Sequence, residues 1–190
     1  MIDAAAAGAA APDRQTITFA SQPNGAVGGS RTLHATASSG LAVTFKVDAA
    51  TSPSGACTLS GTHNATVHYA KAGSCVIDAR QAGNADFTAA PQVKRKIVIK
   101  PALAVSTSSL PSGVVGKKYA ATLQAKGGNS PFAWTVKSGT LPPGLTLAKS
   151  GAVSGKPTKR GSYDVTILVT DASVPKARAT KSFTIKITRS

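Results

Sequence analysis

The chain has 190 residues and carries 22 Lys and Arg against seven Asp, which gives a formal net charge of +15 at pH 7. The seven carboxylates are scattered with no pair on one strand face, and no Ser stands in a nucleophile-elbow context, so we expect no enzyme, no cofactor and no metal site. Aromatic residues make up only 5% of the chain, beside 18 Gly and 11 Pro; frequent turns and two thin-cored β-domains, each of under about 100 residues, are therefore expected.

Residues 1–14 are rich in alanine and predict an N-terminal arm or linker. The stretch has no basic n-region, and its alanine run is too short and too weakly apolar for a signal peptide. No apolar segment approaches the roughly 20 residues that cross a bilayer, so we expect no membrane span.

Residues 15–100 predict a first domain built from short strands. Apolar residues recur at every second position between turns such as Pro23-Asn24-Gly25 and Ser38-Ser39-Gly40, which is the pattern of half-buried strands. The positions expected to face inward are Ile17, Phe19, Leu33, Ala35, Ala37, Val43, Phe45, Val47, Cys57, Leu59, Val67, Tyr69, Cys75, Ile77 and Ala79, and the run Ile97-Val98-Ile99 closes the domain.

Several stretches of this domain carry a family resemblance. They are residues 15–19, 33–41, 43–45, 72–75 and 81–84, together with Phe87 and Ala90-Pro91. In these stretches the chain resembles a family of bacterial Ig-like repeats found in large exported proteins. The resemblance implies an Ig-like β-sandwich in an exported setting.

Cys57 and Cys75 are the only cysteines, and both fall on the inward parity of strands that flank residues 67–70. An even count in an exported domain predicts a disulfide between them. The alternative is a pair of buried thiols that pack as small apolar groups. Zinc binding is disfavoured, because CxxC spacing is absent and the nearby histidines do not share the cysteines' face.

The three histidines have structural explanations. His34 and His68 fall on the outward parity of their strands, and His63 lies in a turn, so we expect solvated side chains. A metal site on His34 and His68 would need adjacent strands and a carboxylate. The sequon Asn64-Ala65-Thr66 is interpreted as a coincidence in a chain of bacterial character.

Lys100-Pro101-Ala102 is all that separates the two halves. The halves do not repeat each other in sequence, so we expect a tandem of different modules. A joint this short, stiffened by proline, favours an elongated rod with limited bending over two freely tumbling domains.

Residues 101–190 predict a second domain. Phe132, Trp134 and Val136 alternate, which predicts a strand with the tryptophan in a sandwich core and not on a sugar or base platform. The segment 141–163 predicts a hairpin in which residues 145–147 are turned by Ser150-Gly151 to face Val153. Gly161 then opens a long strand that presents one apolar face, formed by Tyr163, Val165, Ile167 and Val169.

A second resemblance covers residues 103–187. Its residues are Leu110-Pro111, Gly116, Tyr119, Leu123, Gly127-Gly128, Pro131-Phe132, Trp134, residues 141–145, Gly151, Ser154-Gly155, Pro157, Gly161, Tyr163 and Val169-Thr170-Asp171. This part of the chain resembles the bacterial putative Ig domain, a cadherin-like or Ig-like sandwich repeat without common catalytic residues. The fold class we expect is all-β, with two tandem Ig-like β-sandwiches joined by a short linker.

Asp171 is the carboxylate of the second half most suggestive of a site, because cadherin-like modules place such a residue at calcium sites between domains. Calcium prefers six or more oxygen ligands, and this half offers only Asp164 and Asp171 among thirteen cations. Capping of a strand end is therefore the expected role.

The charge is unevenly distributed. Residues 1–100 contain nine basic and five acidic residues, whereas residues 101–190 contain thirteen and two. A positive field favours anionic partners, although lysines on outward strand positions also serve solubility. Lys156, Lys159 and Arg160, which lie around one turn, are the candidate anion-binding residues, and without exposed aromatics any nucleic-acid binding would be non-specific.

Three classes of function fit these patterns. The first is a non-catalytic, surface-displayed module of a bacterial exported protein that serves adhesion, spacing or binding to an anionic cell-envelope polymer or protein surface. The second is a phage decoration or tail protein that contacts a capsid, a tail shell or the host surface. The third is the accessory domain of an enzyme. The first two imply an extracellular, cell-surface or virion location.

Overall fold

The structure is a computed structural model that describes residues 10–53 and 55–189. The predicted arm, residues 1–14, lies mostly outside the described residues. Its described end is held by the first domain, since the backbone N–H of Asp13 donates to the Asp86 carbonyl at 2.8 Å and its carbonyl accepts from the Thr88 N–H at 2.8 Å.

Nine strands form the first domain. In chain order they are β1 (Ile17–Phe19), β2 (Gly25–Ala26), β3 (Ser30–Thr32), β4 (Ala35–Ala37), β5 (Thr44–Val47), β6 (Cys57–Ser60), β7 (Thr66–Tyr69), β8 (Gly73–Arg80) and β9 (Val93–Lys100). A single 3₁₀ turn, Thr62–Asn64, lies between β6 and β7. The strands form the sheets β2-β9-β8-β5 and β3-β7-β6, with β1 paired to β4.

Nine strands also form the second domain. They are β10 (Ala104–Val105), β11 (Gly113–Val114), β12 (Tyr119–Thr122), β13 (Ala125–Lys126), β14 (Ala133–Gly139), β15 (Leu145–Leu147), β16 (Ala152–Gly155), β17 (Gly161–Thr170) and β18 (Arg178–Thr188). They form the sheets β11-β18-β17-β14 and β12-β16-β15, with β10 paired to β13.

The two domains share one topology. Each strand of the first domain has its counterpart nine strands later, including the short parallel pairs β2 with β9 and β11 with β18. Gly25 pairs with Ile99 as Gly113 pairs with Ile187, which aligns the two sheets residue by residue. Two halves without a sequence repeat thus have the same arrangement of strands.

A hydrophobic core lies in each domain, one built from residues between Ile17 and Ile99 and the other from residues between Leu103 and Ile187. The all-β fold of two Ig-like sandwiches is confirmed; the boundaries 15–100 and 101–190 stay a prediction. The inward parity is also confirmed for Phe19, Phe45 and Val67, which are nearly fully buried. These side chains alternate with exposed neighbours, as a half-buried sheet requires.

The structure bonds Cys57 to Cys75, the pair that the sequence predicts, with their Cα atoms 5.9 Å apart. Cys57 begins β6 and Cys75 lies in β8, so the bond joins the two sheets of the first sandwich across its core. The disulfide therefore adds a covalent link between two sheets that would otherwise be held together only by their thin hydrophobic core.

The strand β14 departs from the prediction at one residue. Trp134 is buried in the second core, with 3% of its surface exposed, and Phe132 packs against that core. Val136 is 41% exposed, so the prediction that it is buried like Trp134 is wrong. Val136 still pairs in register with the buried Ile167, and the pairing shifts only after it; because β14 is the edge strand of its sheet, the Val136 side chain is left partly uncovered.

A tyrosine ring covers the glycine that begins the short parallel strand of each domain. A Cβ on Gly25 would meet the Tyr69 ring at 2.3 Å, and a Cβ on Gly113 would meet the Tyr119 ring at 3.0 Å. The two rings come from different strands, β7 and β12. The two domains therefore make the same tyrosine–glycine contact, but with tyrosines on strands that do not correspond to each other.

Candidate anion-binding site

The candidate site lies at the end of the second domain where β17 begins and β18 ends. Gly155 ends β16, and Pro157, which has no N–H to donate to a ladder, keeps the following turn out of the sheet until Gly161 pairs with Ile187. We call this end the basic tip, and define it by the exposed cations Lys117, Lys118, Lys156, Lys159, Arg160, Lys186 and Arg189.

Backbone contacts fix the loops of the basic tip. The Gly116 N–H donates to the Pro157 carbonyl at 2.9 Å, which ties the loop after β11 to the turn before β17. The Tyr163 hydroxyl donates toward the carbonyls of Lys159 at 3.1 Å and Arg160 at 3.4 Å. Tyr163 packs partly against the core, so it anchors this basic turn to the sandwich.

Two adjacent cavities open at the basic tip. One, of about 480 Å³, is lined by residues 160–162 and 186–189; the other, of about 340 Å³, is lined by Val115 and residues 158–160 with Arg189. Arg160 and Arg189 line both cavities. Each cavity therefore has the same two arginines in its lining.

The structure groups two of the three predicted anion-binding residues. Lys159 and Arg160 line the cavities, whereas Lys156 lies on the same turn but lines neither, and its backbone N–H donates to the Gly144 carbonyl at 3.2 Å. Lys186 and Arg189 were missed by the sequence analysis. Lys186 pairs with Ser162 in the ladder, a neighbour that becomes visible only once the β17–β18 register is known.

Within residues 10–53 and 55–189, no carboxylate forms an ion pair with a cation of the basic tip. Among the described residues, all ion pairs lie in the first domain. Of the two carboxylates in the second domain, Asp164 accepts a hydrogen bond from the Thr184 hydroxyl at 2.6 Å, and Asp171 lies at the opposite end of β17. The described part of the tip therefore has an excess of positive charge that attracts anions.

Residues 100–188 match the family model described as "Putative Ig domain". The second half of the chain is therefore similar to this family over nearly its whole length. Comparison with curated proteins gives no significant match. Within the described part of the chain, no helix has the length and apolar character needed to cross a membrane.

Many solved structures are similar in fold. A C-terminal fragment of intimin, solved with the intimin-binding domain of its receptor Tir, is 21% identical with a TM-score of 0.45, and the match covers 74% of this chain and 50% of that one. A titin I-band fragment, I67–I69, is 17% identical with a TM-score of 0.48, covering 95% and 67%. A putative α-galactosidase from Bacteroides fragilis is 24% identical with a TM-score of 0.40, covering 45% of this chain and 17% of that enzyme.

At the other end of the Ig domain, Asp171 caps the end of β17. Its carboxylate accepts hydrogen bonds from the backbone N–H groups of Asn129 at 2.8 Å, Ser173 at 3.0 Å and Ala177 at 2.8 Å, and from the Ser173 hydroxyl at 2.7 Å. Burial acts to raise the pKa of Asp171, but these hydrogen bonds outweigh it and the pKa lies below its usual value. The predicted capping role is confirmed.

Asn129 connects the residues around the Asp171 cap to the first domain through hydrogen bonds of its side chain. Its side-chain amide donates to the Ser173 hydroxyl at 2.7 Å and to the Gly25 carbonyl at 3.3 Å. From the other side, the Arg31 guanidinium donates to the carbonyls of Pro23, at 2.8 Å, and of Val174, at 3.1 Å. The two domains are thus joined by hydrogen bonds as well as by the linker.

The histidines lie where the sequence places them. His34, His63 and His68 are all exposed, and His68 shares a hydrogen bond with the Ser60 hydroxyl at 2.7 Å. Within the described residues, no three metal-ligating side chains come together. The histidines therefore belong to the solvated surface of the first domain.

Proposed function

We propose that the chain is a non-catalytic Ig-like module that binds an anionic polymer at the basic tip of its second domain. The observation that supports this best is the pair of adjacent cavities that share Arg160 and Arg189, neither of which forms an ion pair with a described carboxylate. Arginine suits such a ligand, because its planar guanidinium binds phosphate or carboxylate oxygens in a bidentate manner.

The ligand class that fits is an extended polymer with repeated negative groups. The cations form an open surface instead of one enclosed pocket, and the tip offers no exposed aromatic platform for stacking on bases or sugars. Binding should therefore depend on charge and spacing more than on the identity of the repeating unit. An anionic cell-envelope polymer has this chemistry, and the setting we propose is extracellular, on a bacterial exported protein.

The test is binding of the full chain to a poly(glycerol phosphate) polymer at several salt concentrations. If Lys159, Arg160, Lys186 and Arg189 each neutralise a phosphate, the slope of log affinity against log salt should be about −3, by analogy with single-stranded nucleic acids. Raising salt fourfold should then weaken binding roughly 50-fold.

Charge-reversal variants separate a site from a diffuse field. Changing Lys159, Arg160 and Arg189 to Glu should abolish measurable binding, while a matched control with Glu at three exposed lysines elsewhere, Lys96, Lys137 and Lys149, should keep most of it. Lys156→Glu should have a smaller effect than Arg160→Glu, because Lys156 lines neither cavity. Equal losses in the two triple variants would show that net charge alone acts, and would refute the proposal.

A further inference from the structure

A third cavity lies between the two domains, at the opposite end of the second domain from the basic tip. Its volume is about 340 Å³. One wall comes from the first domain, residues 25–30 and Tyr69, and the other is the loop 173–178 that connects β17 to β18. The contacts of Asn129 and Arg31 hold these walls together, so the cavity belongs to the docked pair of domains.

Positive charge surrounds this cavity. Lys176 and Arg178 line it, and no carboxylate does. Arg31, beside it, donates its described hydrogen bonds only to neutral carbonyls, so its charge is not compensated by them. Asp171, two residues before the lining Ser173, keeps its negative charge but does not line the cavity, and its carboxylate is held by hydrogen bonds at the end of β17. The charged residues that do line the cavity are both cations, so the lining favours an anion.

The cavity wall also contains a hydrogen-bond donor without a partner. Tyr69 is buried, and its hydroxyl has no hydrogen-bond partner among the described residues. Burial raises the pKa of Tyr69, and the positive charge of Arg31 opposes that rise. A buried donor left unpaired is costly, and an oxygen acceptor beside it would relieve that cost.

We propose that this cavity binds a small carboxylate of about the size of a monosaccharide, such as a uronic acid. The volume lies at the small end of the range for ligand pockets, roughly 300–1,000 Å³. Lys176 and Arg178, which line the cavity, bind the carboxylate, and the Tyr69 hydroxyl donates to a ligand oxygen. Val27, Pro175 and Val174, which is 58% exposed, provide an apolar surface for the carbon face of the ring.

This second site is distinct from the basic tip. The ten residues of β17 lie between the two, and at about 3.3 Å per residue they span roughly 30 Å. Binding at one site can therefore be observed without the other, and failure of either proposal leaves the other standing.

The experiment is a titration of the ¹⁵N-labelled full chain with glucuronate at low salt, followed by amide chemical shifts. Saturable shifts are expected in residues 25–30 and 173–178, with a millimolar dissociation constant, and none are expected with neutral glucose. Shifts confined to the basic tip, or no saturation, would overturn the proposal. Tighter binding of inorganic phosphate than of glucuronate in the same titration would also overturn the proposal, because it would show an anion site with no preference for a carboxylate.

Two variants test the named contacts. Changing both Lys176 and Arg178 to Gln should weaken glucuronate binding by about tenfold or more, because charge-assisted hydrogen bonds are lost. The control, Lys137→Gln with Lys149→Gln, lowers net charge equally on exposed residues outside the cavity and should change binding less than about twofold. Tyr69→Phe keeps the ring and should weaken binding without lowering stability. Equal effects of the two double variants, or unchanged binding in Tyr69→Phe, would refute the assignment.

Discussion

Reduction of the Cys57–Cys75 disulfide should destabilise the first domain and leave the second unchanged. The bond closes a loop with a sequence separation of 18 residues, which in the chain-entropy model stabilises the domain by roughly 3 kcal/mol. At about 4–8 °C per kcal/mol for a domain of this size, the melting temperature of the first domain should fall by roughly 12–24 °C.

The chain contains its own control for this measurement. Its single tryptophan, Trp134, is buried in the second core, so its fluorescence reports the unfolding of the second domain alone. Calorimetry with and without reductant records both transitions, and Trp fluorescence assigns the second. An unshifted first transition, or a Trp transition that moves as far as the other one, would contradict the reasoning.

Two further predictions concern polar groups of contrasting environment. Tyr119→Phe should cost roughly 1 kcal/mol in the free energy of unfolding, because the Tyr119 hydroxyl donates to the Pro111 carbonyl at 2.9 Å. Tyr69→Phe should be neutral or stabilising, since its hydroxyl has no partner in the part of the chain that the structure describes. Denaturant unfolding of both variants decides this, and equal losses would contradict it. The hydrogen bond from Lys94 at 2.7 Å lowers the pKa of Asp48 to about 2. The contribution of Asp48 to stability should therefore be complete above about pH 4 and be lost as the pH falls toward 2. The difference in unfolding free energy between the wild type and Asp48→Asn should shrink over this range, and a constant difference would refute the link.

The sequence predicts the strands better than it predicts which strands pair and which lie at the edge of a sheet. Trp134 and the hairpin of β15 and β16 follow local periodicity and turn chemistry, which act over a few residues. The prediction for Val136 is wrong because β14 lies at the edge of its sheet, a position that the residues of β14 alone do not reveal. Alternation predicts which face a side chain is on, but not how far neighbouring elements cover that face.

The candidate site also combines residues that are adjacent in sequence with residues that only strand pairing brings together. Lys159 and Arg160 are adjacent in sequence and were recognised, whereas Arg189 joins them through the pairing of β17 with β18. The junction contacts of Arg31 with Val174 and of Asn129 with Gly25 join residues 143 and 104 positions apart. A charge count along the chain contains no information about such neighbours.

Because the two domains share one topology, equivalent ends of the two domains can be compared. Gly25 and Ile99 in the first domain correspond to Gly113 and Ile187 in the second, so the end of the first domain that receives the loop 173–178 is the counterpart of the basic tip. In the first domain this end contacts the second domain, whereas in the second domain it carries the cations of the basic tip. Exchanging the order of the two domains would bury the cations of the tip against a neighbouring module, so the two Ig-like units are not interchangeable.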